Sequence, residues 1–144
     1  MSLEEIKVSY NPSVDTKPKV ASLNDAYQYF LEIFDKDALS IREECVVLFL
    51  NRANRALGFY RLSIGGITGT VVDIRLILGI AVKCLACGII IAHNHPSGNL
   101  KPSKSDILLT ERLMISARLM EISLLDHLII SATGYYSFAE NGAL

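Results

Sequence analysis

The sequence carries no basic excess. Fourteen lysines and arginines stand against fifteen aspartates and glutamates, a formal net charge of −1, so the counterion-release force by which a domain binds nucleic acid through its phosphates is missing. Strong nonspecific DNA binding is therefore not expected. The sequence also lacks an apolar run fit to span a bilayer, because the most apolar stretch, Leu76 to Ala92, contains Lys83 and two glycines and changes period partway. The start, Met1-Ser2-Leu3-Glu4-Glu5, is acidic where a secretory signal is basic and then apolar. The expected location is the cytoplasm, away from membranes. Cysteines are few and odd in number: Cys45, Cys84 and Cys87 do not make a disulfide framework. Cys84 and Cys87 form a CxxC, but a single such pair is a weak zinc signal. It falls at the end of a helix, so both are read as small core residues. Internal repeats and low-complexity segments are absent.

What is present is one domain's worth of core. With 144 residues and 51% of them hydrophobic, the chain can bury one sizeable core and is too short for a two-domain enzyme. Residues 1–20 mix a short alternating run, Ile6 to Tyr10, with Asn11-Pro12 and Lys17-Pro18, and read as an arm or edge strand before a domain over 21–144. Ser22 caps a helix whose apolar positions Ala26, Tyr29, Phe30, Ile33 and Phe34 predict an end near Asp35 to Asp37. Cys45 to Leu50 is a continuous apolar run that suits a central strand, and Ala56 to Ser63 returns as a second. After the glycine-rich Gly65 to Thr70, which is either a substrate edge or a connection, Asp73 caps a helix carrying Ile74, Ile77, Leu78, Ala81, Val82 and Leu85. That helix is predicted to run to about Cys87 and to stop at Gly88. Ile89 to Ala92 is a buried strand, His93 to Pro102 a loop, and Ser103 opens a helix to Met120. Strands follow at Leu124 to Ser131 and Tyr135 to Phe138. Helices feeding directly into short β-branched strands give an α/β fold.

Chemistry gathers at the end of the strand Ile89 to Ala92. His93 and His95, two residues apart, project to one face and can hold one metal ion. Asp106 lies in the first turn of the next helix, and Cβ atoms tilt toward a helix N-terminus, so its carboxylate is aimed back at the histidines. It shares a stripe with Leu109, Leu113, Ala117 and Met120, where a carboxylate needs a partner. Ser103-Lys104-Ser105-Asp106 also reads as a capping box, with Asp in the place of Glu, and this pairing is compatible with metal binding. His127, after Asp126 on a strand, reads as a hydrogen-bonded structural histidine. Glu43 and Glu44 stand at the entrance of the strand Cys45 to Leu50 and alternate faces. Both sets of alternating residues beyond them are apolar, so the pattern does not select which one faces the histidines.

His93-x-His95, seven residues, Ser103, two residues, Asp106 matches the JAMM metalloprotease signature HxH-x7-SxxD at every required position. The surroundings resemble the RadC branch of that group: Ile91 to Gly98, Leu125-Asp126-His127, Gly134 to Phe138, Leu50 to Asn54 and Gly65 to Asp73. The likeness extends over about residues 20 to 144. It implies a single-domain, cytidine-deaminase-like (JAB/MPN) α/β sandwich with a mixed central sheet flanked by helices, and a zinc ion held by His93, His95 and Asp106. It further implies a catalytic glutamate, best matched by Glu43, acting as general base, with Ser103 stabilising the oxyanion during hydrolysis of a peptide or isopeptide bond. The partner would be a protein or peptide substrate whose identity the sequence does not give.

Many RadC proteins carry a helix-hairpin-helix region before this domain, for which this sequence has no room, so a DNA-repair role is weakly supported. The competing reading is a non-catalytic zinc-containing module in DNA repair, recombination or mobile-element biology. A ligand set completed by a candidate base favours the hydrolase, since a structural zinc fills its fourth position with Cys or His. A nucleoside deaminase would share the implied fold but needs HxE with PCxxC, and neither arrangement is present.

Overall fold

The computed structural model describes residues 3–12, 16–65 and 72–144. Its elements run α1 (Leu23–Ile33), β1 (Glu44–Leu50), β2 (Ala56–Ile64), α2 (Ile74–Lys83), β3 (Gly88–Asn94), α3 (Lys104–Leu119), β4 (Ser123–Ser131) and β5 (Gly134–Ser137). The five strands form one sheet in the order β2-β1-β3-β4-β5. Only β3 and β4 are parallel, and α3 is the crossover between them; the other pairs are antiparallel. The chain is thus an α/β domain with a mixed sheet flanked by helices. None of the helices among the described residues is long and apolar enough to cross a membrane.

The apolar runs of β1 and β3 follow from their position. Every residue of both strands is buried, because helices cover both faces of the sheet. On one face Val46, Leu48, Leu50, Ile90, Ala92, Leu128 and Ile130 pack against Ala26, Tyr27, Phe30 and Phe34 of the α1 region. On the other, Cys45, Val47, Phe49, Ile89 and Ile91 meet Ile77 and Ala81 of α2 and Leu113 and Ala117 of α3. Burial of this apolar surface supplies the main stabilisation, at roughly 25 cal/mol per Å² removed from water. Strand β2, at the edge, is largely exposed over Gly58 to Arg61.

The three N-caps stand where the sequence places them. Ser22 and Ser103 each form a reciprocal capping box with the aspartate three residues on, and Asp73 accepts from the Arg75 N–H. Helix ends differ more. Helix α1 stops at Ile33, with Phe34 already extended, rather than near Asp35 to Asp37. Helix α2 stops at Lys83 rather than Cys87, because Leu85 turns left-handed (φ 58°). The Ala86 N–H then bonds to the Ala81 carbonyl at 2.9 Å and the Leu85 N–H to the Val82 carbonyl at 3.2 Å. That is a Schellman closure with leucine where glycine is usual. Gly88 accordingly ends no helix. It opens β3, where a Cβ would meet Leu125 Cδ1 at 2.9 Å, so a larger residue there would have to displace the end of the Leu125 side chain.

Three expectations about burial are corrected. Cys84 is buried, but Cys87, next to the start of the strand, is exposed and not a core residue. Val82 and Leu85 lie on the outer side of α2 and its exit, not in the apolar face. The buried stripe of α3 is Asp106, Thr110, Leu113 and Ala117; Met120 is half-exposed as the C-cap, and Thr110 is the member the apolar pattern passes over.

Over the arm, residues 3–12 have no regular structure and Ile6 and Val8 are exposed. Lys19 forms an antiparallel bridge with Arg55 beside the start of β2. Gly65 is described, but the rest of the Gly65 to Thr70 segment lies outside the described residues.

Candidate metal centre

Strand β3 extends to Asn94, so His93 belongs to the buried strand rather than to the loop. It pairs across the sheet with Cys45, which brings Glu43, one residue before β1, to the same corner. Period-two alternation separates the two glutamates. Glu43 Oε1 lies 3.9 Å from His93 Nε2. Glu44 is buried between guanidinium groups, 3.2 Å from Arg42 and 2.8 Å from Arg61, and its N–H donates to Asn94 Oδ1.

His93 Nε2 and His95 Nε2 are 3.0 Å apart. Asp106 divides its two oxygens between them, Oδ1 at 3.1 Å from His93 Nε2 and Oδ2 at 3.2 Å from His95 Nε2. Two ligands each about 2.0–2.1 Å from a tetrahedral zinc ion stand roughly 3.3 Å apart. The imidazole pair, and each ring with its own Asp106 oxygen, are spaced within a few tenths of an ångström of that figure, so the spacing of these residues is compatible with such an ion. One ligand atom each from Glu43, His93 and His95 also falls within 4.8 Å of the others. Two imidazoles are therefore flanked by two carboxylates, Asp106 in contact with both rings and Glu43 further out.

Each ring is held from behind. His95 Nδ1 donates to the Asn99 carbonyl at 2.6 Å, which leaves Nε2 as the acceptor nitrogen of the neutral ring. His93 Nδ1 meets His127 Nε2 at 2.8 Å, and His127 Nδ1 meets Thr110 Oγ1 at 2.6 Å. Asp106 serves the helix as well as the histidines, accepting the Ser103 N–H at 2.7 Å on Oδ2 while its own N–H donates to Ser103 Oγ at 3.1 Å. Ser103 Oγ is also 3.0 Å from Ser105 Oγ.

Electrostatics agree with this geometry. Burial alone would raise the Asp106 carboxyl, but hydrogen bonds to His93 and His95, the charge of His93 and the Ser103 N–H hold it far below the usual carboxylate range. The His95 ring is raised, chiefly by its hydrogen bond to Asp106, against the opposing effect of burial. Burial and the neighbouring His93 push His127 well down, so that ring is neutral. Burial raises the Cys45 thiol strongly, helped by the negative charge of Glu43 and Asp106, which leaves it protonated beside the site. A cavity of about 260 Å³ opens onto Glu43, Cys45, His93, Asp106, Leu109 and Arg112. It is large enough to admit a peptide group next to His93.

Residues 20–143 match the model of the RadC-like JAB domain family. The chain belongs to that family. It is 40% identical over 124 residues to a UPF0758 protein of Flavobacterium johnsoniae, covering 86% of this chain and 53% of that protein. It is 40% identical over 133 residues to one from Staphylococcus carnosus, with 92% and 58% covered. A third, from Porphyromonas gingivalis, is 48% identical over 104 residues, with 72% and 46% covered. The chain spans about half the length of the curated relatives it matches.

Within this RadC-like domain, Glu43, His93, His95 and Asp106 gather at one point, with Ser103 beside them as the helix cap. Thr110 was missed because a threonine among leucines looks like tolerated polarity; its place four residues after Asp106, one turn along the same face, is the signal that finds it. Asp126 was passed over too. Its buried carboxylate accepts from Ser137 Oγ at 2.5 Å, the His127 N–H at 2.7 Å and the Ala139 N–H at 3.0 Å. These bonds tie β5 and the chain after it to β4, and Phe138 stacks on the His127 ring with centroids 4.7 Å apart.

Proposed function

We propose that this RadC-like JAB domain is a zinc-dependent hydrolase of peptide or isopeptide bonds. The observation that carries the reading is the meeting of two imidazole Nε2 atoms and an Asp106 oxygen on each, at 3.0–3.2 Å, with a second carboxylate at 3.9 Å. His93, His95 and Asp106 are the ligands. Zinc with three protein ligands supplies Lewis-acid polarisation and activates water near neutral pH. Glu43, further from the rings than Asp106 and reached from the same cavity, takes the proton of the attacking water and passes it to the leaving amine. The Ser103 hydroxyl, at the positive end of the α3 dipole, steadies the developing oxyanion. The cavity beside Arg112 and Leu109 accepts the peptide group, and a net charge of −1 leaves little attraction for a generic nucleic acid.

The test combines metal content with turnover. Protein purified without added metal should contain about one zinc per chain. It should cleave members of a peptide and isopeptide panel, lose that activity to a chelator and recover it with zinc. Zinc-loaded protein that cleaves nothing in the panel, or cleaves equally well as Glu43→Gln, removes the hydrolase reading and leaves the non-catalytic module.

A further inference from the structure

A histidine that binds a metal through Nε2 must carry its proton on Nδ1, and something must accept that proton. For His95 the acceptor is the Asn99 carbonyl, which can only accept. For His93 it is a second imidazole, which can accept or donate, so the pair alone does not set its own direction. The direction comes from further along. Thr110 Oγ1 lies 2.6 Å from the Asp106 main-chain carbonyl and 2.6 Å from His127 Nδ1. A carbonyl has no proton to give and a hydroxyl has one. The Thr110 O–H is therefore committed to Asp106, and Thr110 must accept from His127. His127 then carries its proton on Nδ1 and accepts at Nε2 from His93 Nδ1–H, which fixes a proton on His93 Nδ1 and leaves Nε2, the nitrogen facing His95 and Asp106, as the one that can give up its proton to a metal.

We propose that Thr110 and His127 are positioning residues whose one-way hydrogen-bond relay, ending on the Asp106 carbonyl, selects the His93 tautomer that can bind a metal. The proposal rests on reading the cluster as a metal centre. The relay is sealed from solvent, with Thr110 1% and His127 0% exposed, so water does not supply a substitute acceptor. Its two ends belong to the same site, since it leaves the His93 ring and closes on the backbone of the residue whose carboxylate touches that ring. Loss of the Thr110 hydroxyl strands the proton on His127 Nδ1. The lower-energy choice for His127 is then to move its proton to Nε2, which drives the His93 proton to the metal-binding nitrogen.

Nitrogen-15 NMR of the His127 ring in metal-free protein reads the relay without any metal. A proton on Nδ1 supports it, and a proton on Nε2 overturns it. Chelator competition then reads the consequence. Thr110→Val, the same shape without the hydroxyl, should bind zinc about ten-fold more weakly than wild type, while Thr110→Ser, which keeps the hydroxyl, should lie close to wild type. Equal affinity for wild type and Thr110→Val overturns the proposal. Should wild type itself bind no zinc, the metal-centre reading fails, and the ring NMR alone still decides whether the relay runs in this direction.

Discussion

Ser103 and Asp106 hold each other in both directions: the Ser103 N–H donates to Asp106 Oδ2 at 2.7 Å, and the Asp106 N–H donates to Ser103 Oγ at 3.1 Å. The same Oδ2 stands 3.2 Å from His95 Nε2. Helix cap and proposed metal ligand are thus one carboxylate, fixed at the start of α3 by the bond that begins the helix. Pre-organisation of this kind lowers the ordering cost of ligand binding.

Two substitutions separate the shared roles. Asp106→Ala should lose zinc sharply and weaken the cap. Ser103→Ala should keep zinc while costing roughly 1 kcal/mol of stability through the lost cap, and should reduce hydrolysis beyond what that stability loss explains. Elemental analysis, urea unfolding and turnover of the two variants check this. Full zinc occupancy in Asp106→Ala would return that residue to capping alone, and full turnover in Ser103→Ala would do the same for the serine.

The two glutamates at the mouth of β1 are expected to fail in different ways. Glu43→Gln keeps the hydrogen-bonding shape near His93 and should retain fold and zinc while losing most hydrolysis. Glu44→Gln removes the charge buried between Arg42 and Arg61 and should lower stability by about 1–3 kcal/mol, with little effect on the turnover of the folded fraction. Denaturation midpoints and turnover numbers, measured on both variants, exchange the assignments if the pattern is reversed.

Much of this was legible in the sequence, for reasons that differ by residue. His93, His95, Ser103 and Asp106 could be found because strand alternation and helix-start geometry convert their spacing into convergence. Glu43 could not be told from Glu44, since β1 is buried on both faces and its apolar run carries no period. Only the registered pairing of Cys45 with His93 resolves the faces. The exit of α2 was misjudged because Leu85 takes the left-handed position that sequence patterns reserve for glycine. The Thr110–His127 contact joins α3 to β4, a tertiary relationship that no local pattern records.

That left-handed leucine is itself testable. Leu85 has φ 58° and is 77% exposed, so its side chain adds little packing while its Cβ strains the backbone by roughly 1 kcal/mol. Leu85→Gly should therefore raise stability slightly, by up to about 0.5 kcal/mol after the extra freedom of glycine in the unfolded chain is subtracted. A rise in urea midpoint with unchanged slope is the expected result. A fall would mean that Leu85 is held by contacts worth more than the strain.

The last prediction concerns acid and base limits of the metal-free protein. The Asp106 carboxyl is lowered in the folded state, so its contribution to stability is full above the ordinary unfolded value of about 3.9 and declines as pH falls from there toward the lower folded value. The His95 ring is raised, chiefly by Asp106, so its contribution is full below about 6.5 and is lost as pH rises through the raised folded value. The two windows overlap between about pH 4 and 6.5. Asp106→Asn removes the charge that produces both shifts. In chelator-treated protein, the urea-midpoint difference between wild type and Asp106→Asn should be widest inside that window and narrow on both sides. A difference that stays constant with pH would show that Asp106 stabilises the fold as an uncharged cap acceptor and that its ion pair with His95 contributes nothing.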